Sequence, residues 1–223
     1  MGPVSSSSYL SKNIKIPDDG FSFIYFACII SSNILIEKAV VMKERTPFTM
    51  IEKAREYAYW KHNRPSESQR YGSAPYSLHL ENVVDVIKKY KYLLDEECHE
   101  DVIAAGYLHD SVEDTDTTPE MLKAMFNLRI AELVLRVSNE RGWDKKEILF
   151  KTLPKIWQNK LATFLKLCDR IANGQTSKQG DSEKSKTVYH RYLMEYPIFR
   201  YALKTTGEYD EMWKELDLIF NFE

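Results

Sequence analysis

A chain of 223 residues with 43% hydrophobic and 29% charged side chains, and only 8 glycines and 8 prolines, has the make-up of one folded domain with or without an extension, and excludes wholesale disorder. Its net charge of −2 lacks the basic footprint of a dedicated nucleic-acid binder, yet leaves room for a local basic pocket around a small phosphorylated molecule. The three cysteines, Cys28, Cys98 and Cys168, form no Cys-x-x-Cys pair, which excludes a disulfide framework and a cysteine-rich zinc site and fits a reducing, cytoplasmic setting.

Residues 1–48 read as an N-terminal extension of unassigned function. After the serine run Ser5 to Ser8, an apolar stretch from Phe21 to about Ile36 is broken by Ser31, Ser32 and Asn33. It falls short of the ~20 apolar residues a spanning helix needs, so stable membrane insertion is not expected. Its β-branched and aromatic content favours short strands. From Thr49 to the end the text is helical. Thr49-Met50-Ile51-Glu52 has the form of a capping box and opens a helix to about Asn63, on whose apolar face His62 lies, as a core histidine or as something more. Residues 64–74 read as a polar loop. Pro75-Tyr76 starts a helix to about Tyr90, with Leu80, Val83, Val84 and Ile87 buried and His79 in its first turn. Residues 93–100 form an acidic linker in which His99 is exposed.

The apolar run Val102-Ile103-Ala104-Ala105-Gly106 then leads into Tyr107-Leu108-His109-Asp110-Ser111-Val112-Glu113-Asp114. On one continuous helix, residues three and four apart share a face, so His109 aligns with Glu113, and Asp110 with Glu113 and Asp114. Like charges at that spacing cost an isolated helix roughly 0.2–0.5 kcal/mol each, a cost that a cation offsets. A new helix begins at Thr117-Thr118-Pro119-Glu120, further apolar faces follow to Val137, and Pro154 marks a break within an amphipathic stretch from Trp143 to Trp157. In Phe164 to Asn173, Asp169 stands inside an apolar helix, where a charge is seldom buried unless paired or bound to a metal; Lys166 and Arg170 are the local ion-pair candidates. Residues 174–187 read as a polar loop, and two helices close the chain over about 188–203, interrupted by Pro197, and 209–220. His190 sits on the first of these, at the surface or behind a site.

Three separated helices thus offer His79, His109 with Asp110, and Asp169. Two imidazoles and two carboxylates suit one divalent ion such as Mn²⁺, Fe²⁺ or Mg²⁺, and Glu113 and Asp114 remain for proton transfer. The ordered pattern Pro75-Tyr76-x-x-His79, His109-Asp110-x-x-Glu113-Asp114-Thr115 and Lys166-Leu167-x-Asp169-Arg170-x-x-Asn173 resembles the HD-domain hydrolases, over roughly residues 49–203. More narrowly it is similar to the ppGpp hydrolase domain of the Rel/SpoT stringent-response enzymes and their stand-alone small relatives. The resemblance implies an all-α HD-domain helical bundle over 49–223. It implies one Mn²⁺ held by His79, His109, Asp110 and Asp169, and water activation by Glu113 and Asp114. It also implies substrate contacts from Arg70, Lys166, Asn173 and Thr176, and release of pyrophosphate from (p)ppGpp by hydrolysis alone. The sequence departs from the family pattern at Tyr71, at Cys168 and after Asn173. Another phosphorylated nucleotide, such as a dinucleotide-cofactor phosphate, therefore stays open as substrate, as does a catalytically silent nucleotide-binding regulator.

Overall fold

The computed structural model describes residues 48–63, 70–71, 74–205 and 207–222; the expectation of short strands in the N-terminal extension lies outside them. The capping box forms as expected: Thr49 Oγ1 accepts from the Glu52 N–H, and the Glu52 carboxylate accepts from the Thr49 N–H, opening α1 (Met50–His62). Where a wholly irregular loop was expected, β1 (Arg70–Tyr71) pairs antiparallel with β2 (Ala74–Pro75). Pro75 therefore closes a strand rather than opening a helix, and α2 starts two residues later (Ser77–Tyr90). The acidic linker contains two short 3₁₀ turns, Lys91–Leu93 and Glu96–Cys98. His99 is half-buried, not exposed, because it opens α3 (His99–Leu108) with its ring Nε2 3.2 Å from the Leu94 carbonyl.

The expectation of one continuous helix through His109 to Asp114 fails. Helix α3 ends at Leu108, and α4 (Ser111–Asp114) restarts after a two-residue step made by His109 and Asp110. Further on, α5 (Pro119–Met125), α6 (Leu128–Val137), α7 (Lys145–Trp157), α8 (Lys160–Gln179) and α9 (Glu183–Leu203) each begin on a side-chain oxygen that accepts a backbone N–H: Thr118, Asn127, Asp144, Asn159 and Ser182. Helix α10 (Asp210–Phe220) closes the chain. Pro154 and Pro197 interrupt neither α7 nor α9; each costs its helix one N–H donor, which packing of the surrounding turns offsets.

The stretch 174–187, expected as a loop, is instead mostly helix, with α8 running on to Gln179 and α9 starting at Glu183. The reason lies at Gly174. A Cβ there would stand 2.8 Å from Ile219 Cγ2 and 3.0 Å from Phe220 Cζ, so the missing side chain lets α10 dock directly on α8. The residue that reads as a breaker in sequence is a contact in space. Helix α8 is the central element, packed by α2, α6, α7, α9 and α10, while α3 is packed by α1, α2 and α6. Because α2 touches both α3 and α8, the first turn of α2, the end of α3 and the middle of α8 meet.

Candidate metal centre

At that meeting point stand His79 from α2, His109 and Asp110 from the α3–α4 step, and Asp169 from α8. His79 and His109 are 2% and 1% exposed, and their Nε2 atoms face each other at 3.2 Å. Asp110 Oδ2 lies 3.3 Å from His79 Nε2 and 3.0 Å from His109 Nε2. Asp169 Oδ1 lies 3.6 and 3.7 Å from the same two atoms. For bonds of about 2.1 Å, donors on one divalent ion stand about 3.0–3.4 Å apart in octahedral or tetrahedral arrangements, so this set is spaced as ligands are. His109 Nδ1 is 2.8 Å from the Gly106 carbonyl. Donation to that oxygen leaves the Nε2 lone pair aimed at the cluster, which is the tautomer a metal needs. Donor chemistry and spacing therefore fit a divalent cation. The ligand atoms of His79, His109 and Asp169 lie within 4.8 Å of one another.

The surrounding groups hold these ligands. Asn173 Nδ2 donates to Asp169 Oδ1 at 2.5 Å, and Lys166 Nζ is 3.1 Å from Asp169 Oδ2. The ion pair to Lys166 thus forms on one oxygen of Asp169, while the other faces the two imidazoles. The Tyr76 hydroxyl donates to Asp110 Oδ2 and, at 3.1 Å, to Asp114 Oδ2; its ring stacks on His62 at 4.6 Å. His62, fully buried, is a core histidine with that added duty, and His190 is exposed. Burial pushes the His109 imidazole down, but Asp110 and Asp169 overcome it and raise its proton affinity well above the ordinary value. Burial likewise works against the Asp110 and Asp169 anions, yet the histidines, with Lys166 beside Asp169, hold both carboxyls low. Lys166, half-buried, is kept charged against its desolvation by Asp169, Glu113 and Asp110.

Glu113 and Asp114 lie at the lip of this centre, exposed as residues but with carboxyls partly shielded from water. Neither uses His109 as its hydrogen-bond partner, since the helix break turns them elsewhere. Glu113 is gripped by Asn139: the backbone N–H donates to Oε1 at 2.8 Å and the side-chain amide donates to Oε2. Burial and the nearby Asp110 push the Asp114 carboxyl up to about 6. Burial also raises Glu113, against Lys166 and the Asn139 bonds. Arg70 stands on β1. Thr176 faces a groove between α2 and α8, where Asn82 Nδ2 donates to its hydroxyl at 3.4 Å. That cavity of about 320 Å³ is lined by Asn82, Lys89, Gln175, Thr176 and Glu215 among others, and by none of the four ligands. A second cavity of about 120 Å³ reaches Asp169 and carries Lys145, Lys166, Arg170 and Arg191 on its walls. Sequence reasoning missed Asn139 as a site residue; its only sequence signal is a polar residue just past an apolar helix. It named Tyr76 only as part of a motif.

The HD-domain family description matches residues 54–196, more than half of the chain. Among curated proteins, the guanosine-3′,5′-bis(diphosphate) 3′-pyrophosphohydrolase of Aquifex aeolicus is 33% identical over 146 residues, covering 62% of this chain and 19% of that one. The guanosine-3′,5′-bis(diphosphate) 3′-pyrophosphohydrolase MESH1 of Danio rerio is 34% identical over 91 residues, covering 41% and 48% respectively. The chain thus spans under half the length of both relatives. A solved structure of a metazoan ortholog of SpoT, which hydrolyzes ppGpp and plays a role in starvation responses, superposes with a TM-score of 0.63 at 23% identity, over 79% of this chain and 97% of that one. At that identity the likeness shows a shared fold. Among the described residues, no helix is long and apolar enough to cross a membrane. The matched segment contains His79, His109, Asp110 and Asp169, and the chain belongs to the HD-domain family.

Proposed function

We infer that residues 49–223 form a metal-dependent 3′-pyrophosphohydrolase acting on guanosine-3′,5′-bis(diphosphate), with Mn²⁺ as the working ion. The observation that carries this reading is the convergence of His79, His109, Asp110 and Asp169 beside Glu113, Asp114 and Lys166. The names of the relatives supply the substrate. These four ligands would hold the ion, which when bound acts as a Lewis acid toward a phosphoryl oxygen and makes water more acidic.

The rest of the chemistry belongs to the chain. The water oxygen bonds to the phosphorus carried on the 3′-oxygen, the P–O3′ bond breaks, and pyrophosphate leaves the nucleoside diphosphate. Glu113 accepts the proton of the attacking water; Asn139 donates to both its oxygens and so favours the anion that does this work. Asp114, whose carboxyl burial and Asp110 raise in the metal-free site, supplies a proton to the departing 3′-oxygen. Lys166, with Arg170 and Arg191 along the smaller cavity, offsets phosphate charge. Asn173 and Lys166 keep Asp169 aimed at the centre. Arg70 and Thr176 serve the nucleoside end of the substrate.

The test is to incubate the purified, Mn²⁺-loaded chain with ppGpp and a panel of other phosphorylated nucleotides. Pyrophosphate and GDP from ppGpp support the reading. Orthophosphate from another nucleotide, with ppGpp untouched, replaces the substrate; tight binding without product replaces the enzyme with a regulator.

A further inference from the structure

Glu113 is held from outside its own helix, by one residue acting on both of its oxygens. Two donors fix the plane of a carboxylate as well as its position, whereas a single bond leaves it free to swing. The donor residue is itself pinned. Next to Asn139, the Ser138 hydroxyl donates to the Val134 carbonyl at 2.7 Å, and Lys155 Nζ donates to the Ser138 carbonyl at 2.8 Å. On the other side, the Glu140 N–H donates to Thr152 Oγ1 at 2.9 Å. The loop after α6 is thereby tied to both α6 and α7. Asn139 also lines the cavity of about 120 Å³ that contains Lys166 and the ligand Asp169. Each Glu113 oxygen keeps a further lone pair for a water proton.

We propose that Asn139 is a positioning residue: it fixes the plane and place of the Glu113 carboxylate for proton transfer. This rests on the reading of Glu113 as proton acceptor. Asn139 is exposed, so its replacement leaves the core intact.

The experiment compares Asn139→Ala and Asn139→Asp with the unaltered full chain, Mn²⁺-loaded, on ppGpp. A misplaced proton acceptor should lower kcat in Asn139→Ala by about 10–100-fold, with KM and Mn²⁺ affinity within about twofold. Asn139→Asp should be slower still, because it sets a like charge against Glu113. In a Glu113→Ala background, Asn139→Ala should cost less than about twofold, since a positioning residue has nothing left to position. Unchanged kcat in Asn139→Ala, or the same loss with and without Glu113, overturns the proposal.

A second readout needs no turnover: the ¹³C titration of the Glu113 carboxyl in the metal-free protein. Its midpoint should rise in Asn139→Ala, because one donor to the ionised form is gone. The other groups facing it, Lys166 on α8, Asp110 on the α3–α4 step and Asp114 on α4, are unaltered by the substitution. An unmoved midpoint overturns the clamp whatever the substrate. A raised midpoint in a protein that leaves ppGpp intact keeps the clamp and sinks only the substrate reading.

Discussion

At the scale of single residues, the proposed reading separates groups that hold an ion from groups that move protons, and substitution should separate them too. Asp110→Ala removes the carboxylate oxygen nearest both imidazoles and should abolish Mn²⁺ binding, read by calorimetry, together with turnover. Glu113→Gln keeps every ligand and should retain the metal while losing about 10²–10⁴-fold in kcat. Asp114 gives a pH-dependent prediction. Its folded-state carboxyl is pushed up to about 6, above the ordinary value of about 3.9. Its contribution to stability is therefore fully present below the ordinary value and is lost as pH rises through 6. In the metal-free protein, Asp114→Asn should raise Tm at pH 8 and leave it nearly unchanged at pH 4. Equal shifts at both pH values would contradict that sign. The convergence of His79, His109, Asp110 and Asp169 was legible in the sequence because a charge or imidazole at an inner helix position is expensive. Asn139 was not legible, since its partner lies 26 residues earlier and a polar residue at a helix end is ordinary. The residues expected on the substrate side are also recast in part: Asn173 and Lys166 both touch Asp169 in the folded chain.

At the scale of elements, local chemistry was a good guide to helix starts and a poor guide to helix ends. Capping at Thr49 could be read directly, because the donor and acceptor are three residues apart, whereas the box expected over Thr117 to Glu120 slides by one, with Thr118 as the cap and Pro119 as the first helical residue. The break at His109-Asp110 and the continuation past Gly174 could not, because tertiary contacts decide both. Helix α3 stops where its last residues must turn two ligands inward, and α8 persists where α10 leans on it. Gly174→Val should test the second point. Branched carbons forced against Ile219 and Phe220 should cost about 1–3 kcal/mol of overpacking, seen as a lower Tm with a shallow loss of helix signal. A Tm equal to that of the unaltered chain would mean that α10 is not seated on that glycine.

At the scale of the whole molecule, the all-α architecture, the order of its helices and the meeting of two imidazoles with two carboxylates followed from periodicity and from costly polar residues. The short strand pair, the exact partners of each carboxylate and the two cavities depend on packing that sequence spacing does not encode. An ion bound to the folded state alone adds stability that grows with its excess over Kd, by about 2.7 kcal/mol at a hundredfold excess. Chelation should therefore lower Tm, and Mn²⁺ should restore it in the unaltered chain but not in Asp110→Ala; a chelator-insensitive Tm would argue that these donors bind no ion when folded.

The ligands come from α2, from the end of α3 and from α8, and α8 is the helix most of the others lean on. An ion among them would rivet three elements together, so any element that loosens carries a donor away with it. Thinning the apolar filling between α2 and α8 should then hasten metal escape although every donor residue is kept.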